Sequence, residues 1–137
     1  MTREVAKERT GWRDQRISER HRMWGFDCPA LDIDFLMLEY DYGVPSALIE
    51  FKHEAAPLIR MGHPGIRALK VLSTRANIPL FLVRYADDFS WFYVTPGNER
   101  ANEYVPEPVR MNEPDWIQLL YRCRGRHLPD ELATQIV

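Results

Sequence analysis

The sequence has little cysteine, no long apolar run and almost no net charge. Its two cysteines, Cys28 and Cys123, lie far apart and form no Cys-x-x-Cys pair. We therefore expect reduced thiols in a cytosolic protein, with one disulfide as the alternative, and no zinc site. No segment approaches the roughly 18 apolar residues of a membrane span. Residues 1–16 lack the apolar centre of a secretory signal, so a cytoplasmic location is expected.

The totals describe an ordinary soluble protein, but the charge is unevenly placed. A chain of 137 residues with 45% apolar and 28% charged residues is expected to form one domain, residues 1–137. A net charge of −2 does not by itself indicate a nucleic-acid binder. Residues 3–22 contain seven Lys/Arg against four acids, whereas residues 27–50 contain six acids and no Lys or Arg. Acids concentrated in a short apolar stretch are typical of a cation site, because a cation offsets their repulsion.

The apolar periodicity predicts an α/β domain with a mixed sheet flanked by helices. The predicted elements are a helix over Gly11–Met23, strands over Leu31–Tyr40 and Ser46–His53, a helix over 65–77 that Asn77 caps, strands over 78–86 and 91–96, and a helix over Glu113–Arg124. A strand–helix–strand step is right-handed and makes its two strands parallel, so the second and third strands should be parallel. Residues 1–10 and 125–137 are expected to be loose tails, and at least two of Trp91, Phe92 and Tyr93 should lie in the core.

The first two strands form a hairpin that carries charge where a strand core is usually apolar. Asp32 and Asp34 come near the start of the first strand, and Glu50 and Lys52 near the end of the second. Alternation along a strand places each pair on one face. Antiparallel pairing through Gly43 would bring both pairs to the same edge. Three carboxylates and one amine would then form a site for a divalent cation.

This arrangement resembles the PD-(D/E)XK nuclease superfamily, which includes restriction enzymes, Holliday-junction resolvases and small phage-borne members. Asp34 matches the family's first aspartate, and Glu50-Phe51-Lys52 matches its Glu-x-Lys motif, although Ile33 stands where the family name places a proline. The likeness covers roughly residues 12–94. It implies the restriction-endonuclease-like fold, and the elements predicted from the chain itself follow the order α-β-β-α-β-β-α.

The resemblance also implies a site and a reaction. Asp34, Glu50 and the backbone carbonyl of Phe51 would bind Mg²⁺, for which Mn²⁺ would substitute, and Lys52 would lie beside the attacking water. Glu19 matches a helix glutamate that some members add to the metal site, and Asp32 is the alternative to Asp34 as the aspartate ligand. The candidate nucleic-acid contacts are Arg13, Arg16, Arg20 and Arg84.

Plainer interpretations accompany each of these residues. Glu50 and Lys52 could form an exposed ion pair, Glu19 could pair with Arg16 or Arg22 on its own helix, and Arg84 could make a structural ion pair. The expected function is Mg²⁺-dependent hydrolysis of DNA phosphodiester bonds. A chain too short for a separate sequence-reading module favours a structure-selective or accessory endonuclease on branched, nicked or single-stranded DNA, with a homodimer as one arrangement. The alternative is a catalytically inactive module on the same fold that binds nucleic acid or protein.

Overall fold

The computed structural model describes residues 12–24 and 29–125. Its elements are α1 (Trp12–Trp24), β1 (Phe35–Glu39), β2 (Val44–His53), α2 (Pro64–Arg75), β3 (Leu80–Tyr85), β4 (Phe92–Pro96), α3 (Glu99–Asn102), β5 (Val109–Met111) and α4 (Glu113–Cys123). The predicted tail of residues 1–10 lies outside the described residues, as do Cys28 and all but Gly125 of the predicted tail of residues 125–137. None of the helices in the described ranges is long and apolar enough to cross a membrane.

The chain divides into two compact units, residues 1–32 and 33–137. In the first unit α1 is a charged helix, and its apolar residues Ile17, Met23 and Trp24 are all exposed. The second unit contains the whole sheet and the other three helices.

The sheet is mixed and its strands follow chain order, β1-β2-β3-β4-β5. β2 and β3 are parallel, as predicted for a strand–helix–strand step, and the other neighbours are antiparallel. The predicted α/β class with a mixed sheet flanked by helices is thus confirmed, but the structure has two more elements, α3 and β5, than predicted. The short elements α3 and β5 occupy a segment that the sequence showed only as a proline-containing connection.

Two hydrophobic clusters cover the two faces of the sheet. On the face called here the α2 face, Leu48, Leu80 and Leu82 pack with Ile66 and Leu69 of α2. The opposite face, called the α4 face, packs on the last helix through a larger cluster, which includes Ala47, Ile49, Phe81, Val83, Phe92, Val94, Trp116 and Leu119. Because alternate residues of β2 enter different clusters, the period of two in the sequence determines which face each side chain reaches.

Several element ends differ from the prediction for local reasons. β1 begins at Phe35 rather than Leu31, so Asp32 and Asp34 precede the strand instead of lying in it. β2 begins earlier, at Val44, and a shift in register beside Pro45 marks an irregularity in the ladder. The α2 cap is Ala76, and Asn77 follows it with a left-handed φ of 58°, a conformation that asparagine tolerates.

The prediction for the aromatic run of β4 is wrong. Phe92 is buried, but Trp91 is only half-buried and Tyr93 is exposed. Phe92 points into the α4 face, where its ring stacks on Trp116 with centroids 5.8 Å apart. Trp91 and Tyr93 therefore point to the α2 face, on which α2 packs against β2 and β3.

Candidate metal and nucleic-acid site

Antiparallel register brings Asp34 next to Glu50. The β1–β2 ladder ends with Phe35 opposite Ile49, so the residue before Phe35 and the residue after Ile49 are neighbours. At this point Asp34 Oδ2 accepts a hydrogen bond from the backbone N–H of Phe51, at 3.1 Å. The carboxylate of Asp34 thus satisfies a backbone donor that β1 is too short to reach.

The same geometry orients the backbone carbonyl of Phe51. In an extended strand the N–H and C=O of one residue point to the same edge. Leu48 N donates to Pro79 O and Glu54 N to Tyr85 O, so the even-numbered residues of β2 face β3. The carbonyl of Phe51 therefore points away from β3, to the edge where Asp34 lies.

Glu50 and Lys52 share the α2 face, as the alternation predicted. Lys52 Nζ lies 3.5 Å from Glu50 Oε1, and the Glu50 side chain is only 13% exposed whereas that of Lys52 is 42% exposed. Burial is the largest cause that raises the pKa of the Glu50 carboxyl above its ordinary value, and the charge of Asp34 raises it further. Lys52 acts in the opposite direction but does not cancel these effects. The pair is thus partly buried and electrostatically strained, which an exposed ion pair would not be.

Among the described residues Arg84 bonds to backbone carbonyls rather than to a carboxylate. The parallel register of β2 and β3 places Arg84 beside Lys52, at the end of the sheet where the candidate site lies. Its Nη2 donates to the carbonyl oxygens of Glu54 (2.6 Å) and Ala56 (2.5 Å). Arg84 therefore holds the segment that leaves β2, and it adds a positive charge next to Lys52.

His53 lies on the α4 face, away from Glu50 and Lys52. Its Nδ1 accepts from Ala55 N at 3.0 Å, so the ring proton is on Nε2, which donates to Asp87 Oδ1 at 3.0 Å. Its ring also packs edge-on against Tyr85. This histidine ties the end of β2 to the β3–β4 turn.

The remaining predicted site residues belong to the first unit. Glu19 accepts a hydrogen bond from Gln15 Nε2 at 3.3 Å, within α1, rather than from an arginine. Arg13, Arg16 and Arg20 lie on the same helix, and Asp32 ends the unit. Their roles in metal or nucleic-acid binding stay predictions, and the site is built here from Asp34, Glu50, Phe51 and Lys52. Within residues 12–24 and 29–125, no group of three or more His, Cys, Asp or Glu side chains could hold a metal ion.

One charge feature near the site was missed at the level of sequence. Residues 55–86 contain five Lys/Arg and no Asp or Glu. This segment forms β3, which pairs with β2, and α2 with the loop before it, and α2 packs on the sheet face that carries Glu50 and Lys52. A count of charges over this stretch would have revealed it.

Comparisons of the chain with family models, curated proteins and solved structures found no match. The interpretation of the site therefore depends on its own residues and geometry.

Proposed function

We propose that this protein is a Mg²⁺-dependent endonuclease that hydrolyses DNA phosphodiester bonds, structure-selective or accessory rather than sequence-specific. The observation that carries the proposal is the convergence of Asp34, Glu50 and Lys52 at one edge of the sheet. The backbone N–H of Phe51 holds the Asp34 carboxylate next to Glu50, where its charge raises the pKa of the Glu50 carboxyl, and Lys52 Nζ lies 3.5 Å from Glu50 Oε1.

The residues fit a divalent cation with hard oxygen ligands. Asp34 and Glu50 offer carboxylate oxygens, and the Phe51 carbonyl points to the same edge. Mg²⁺ keeps several waters, so one or two carboxylates suffice to hold it, and Mn²⁺ accepts the same ligands. The raised pKa of Glu50 supports this fit, because a cation would relieve the repulsion from Asp34 that contributes to it. When bound, such an ion supplies Lewis acidity and a water of lowered pKa.

Lys52 would act on charge that develops during the reaction. Its ammonium group is held beside Glu50 and is open to solvent on the other side. A phosphate at this edge would meet the ammonium directly, and the ammonium would stabilise the additional negative charge of the transition state. Glu50 orients Lys52 through their 3.5 Å contact, while Asp34 is fixed by the backbone of Phe51. The acid-free segment 55–86 would attract the polyanionic substrate to this face.

Cleavage assays with Mg²⁺ or Mn²⁺ on branched, nicked, single-stranded and duplex DNA test the proposal. We expect Lys52→Ala to lower the cleavage rate by about 100-fold or more, the scale on which a group that transfers a proton or stabilises charge contributes. Lys70→Ala is the matched control, because it removes one exposed lysine of the acid-free segment: it should weaken DNA binding but leave the rate at saturating DNA within about threefold of wild type. Cleavage that survives Lys52→Ala would refute the mechanism.

A binding module without catalysis is the second candidate, and one observation favours it. The described residues bring only two carboxylates together, and no group of three metal-ligating side chains occurs among them. Calorimetry with Mg²⁺ and Mn²⁺ separates the two candidates. Saturable binding that is lost in Glu50→Ala supports the nuclease, whereas no saturable binding in either protein supports the module.

A further inference from the structure

A straight row of side chains crosses the sheet from the candidate site to its far edge. Lys52 is opposite Arg84, Arg84 is opposite Tyr93, and Tyr93 is opposite Arg110. Directly opposed residues of neighbouring strands point to the same face, so all four point to the α2 face. With strands spaced about 4.8 Å apart, the row is about 14 Å long. It carries three positive charges and one aromatic ring.

The part of the row on β4 and β5 is uncovered. Tyr93 is 43% exposed and Arg110 is exposed as well. The guanidinium of Arg110 lies over the ring of Trp91, 4.9 Å from its centroid, which orients the arginine along the surface. The helix on this face packs on β2 and β3 through its own apolar residues and leaves this half of the sheet open.

Of the acidic groups near the row, Glu54 at the end of β2 is exposed, and the other three make contacts of their own. Glu50 is beside Lys52. In the β3–β4 turn Asp87 bonds to His53 on the other face, and Asp88 accepts from the backbone N–H of Ser90. The segment of residues 55–86 adds no acid. The surface is thus complementary to a chain of negative charges.

The combination of charge and exposed aromatic rings suits an unpaired strand better than a duplex. In a duplex the faces of the bases are stacked on one another, so a tyrosine ring on a flat sheet could reach only phosphates. In a single strand a base can leave its neighbours and stack on the ring while the flanking phosphates contact arginines. Consecutive phosphates of one strand advance by about 3.4 Å along the axis of B-DNA and by more in an extended single strand, so a row of about 14 Å spans at least two of them.

We propose that a single-stranded segment of nucleic acid lies across the open α2 face of β3–β5, with a base stacked on Tyr93 and phosphates beside Arg84 and Arg110. This inference rests on the proposed function in one respect: the row of side chains leads the nucleic-acid strand toward Lys52 and Glu50, where cleavage would occur. It defines the substrate as one with an unpaired segment next to the scissile bond.

Fluorescence anisotropy in EDTA tests the inference without cleavage. The probes are a labelled oligothymidine and a labelled hairpin duplex of the same number of nucleotides. We expect the oligothymidine to bind more tightly, and Tyr93→Thr, which keeps a strand-forming residue but removes the ring, to weaken its binding by about tenfold. Tyr93→Phe should bind as wild type does, because the ring is retained.

The salt dependence identifies the phosphate contact. Arg110→Gln should lower the slope of log K against log [salt] by about 0.7, the value for one phosphate of a single strand, and Arg110→Lys should restore it. Arg122→Gln is the matched control, because Arg122 is an exposed arginine of α4 that lies over Tyr104 on the other side of the sheet. It should leave the slope unchanged. Circular dichroism confirms that each variant is folded.

The outcomes separate this inference from the proposed function. Binding that depends on Tyr93 and Arg110 without any cleavage in Mg²⁺ would refute the nuclease and support the strand path. Cleavage with oligothymidine binding unchanged in the Tyr93 and Arg110 variants would refute the path alone. Equal affinity for the hairpin duplex would also overturn it.

Discussion

Removal of the Asn98 side chain should destabilise the protein strongly, although nothing in its sequence neighbourhood singles it out. Asn98 is 5% exposed and its side chain makes four hydrogen bonds. Its Oδ1 accepts from Leu80 N (3.1 Å) and Ala101 N (2.9 Å), and its Nδ2 donates to Ser73 Oγ (3.0 Å) and Ile78 O (2.9 Å). One amide thus joins α2, the start of β3 and the first turn of α3.

The size of the effect follows from the partners that Asn98→Ala leaves behind. The N–H of Leu80 and the C=O of Ile78 would be buried without a partner, at about 1–3 kcal/mol each. Loss of the cap on α3 adds about 1 kcal/mol. We expect the free energy of unfolding to fall by about 4 kcal/mol, a large part of the roughly 5–15 kcal/mol typical of a domain.

Urea denaturation measures this change. The midpoint should fall while the slope m stays constant, because the surface exposed on unfolding is nearly the same. Asn102→Ala is the control, since Asn102 is exposed and its one side-chain bond goes to Pro106 O, so its loss should cost under about 1 kcal/mol. A value for Asn98→Ala as small as that of the control would refute the reasoning and would show that water replaces the amide.

Three further predictions concern single side chains. The raised pKa of Glu50 means that its charged form is disfavoured in the folded state. The free energy of unfolding should therefore fall as the pH rises above 4.5 and stay lowered at neutral pH. Glu50→Gln should therefore raise Tm at pH 7 without divalent ions but leave Tm unchanged below pH 4.5. Added Mg²⁺ should raise the Tm of wild type but not that of the variant. An equal difference in Tm at both pH values would contradict this. Burial raises the pKa of the Cys123 thiol to about 11. At pH 8 its alkylation by iodoacetamide, followed by peptide mass spectrometry, should be about 100-fold slower in the native than in the urea-unfolded protein, and equal rates would show an accessible thiolate. A Cβ on Gly97 would lie 2.7 Å from Leu80 Cγ, which is fully buried, so Gly97→Ala should lower the free energy of unfolding by about 1–3 kcal/mol in urea titrations, whereas Gly62→Ala, which meets nothing within 4 Å, should not.

The hairpin shows how far the sequence alone leads toward the candidate site. The spacing of Glu50 and Lys52 is enough to place both on one face, because alternation is a local property of any strand. The parallel relation of β2 and β3 also followed from chain order. The place of Asp34 was predicted within a strand, but β1 begins only at Phe35, and the contact with Phe51 N depends on where the ladder ends.

The far half of the sheet was not accessible to such reasoning. β5 has only three residues, which is too short to show a period, and prolines on both sides indicate a loop. Without β5, Arg110 has no partner on β4, and the row of side chains that begins at Lys52 would stop at Tyr93. The aromatic run of β4 is typical of a core strand by composition, but α2 packs on β2 and β3, and Tyr93 of β4 is exposed.

The sequence by itself determined the elements with strong local signals: the hairpin about Gly43, the buried strand β3, the amphipathic helices α2 and α4, and the shared face of Glu50 and Lys52. Tertiary structure alone decided which residues meet across strands: Asp34 with Phe51, Arg84 with Tyr93, and Asn98 with two other elements. The reason is physical. Which face a side chain occupies follows from its own backbone, whereas its neighbours across the sheet depend on the register between strands, which the turns and the buried faces of the whole sheet set together.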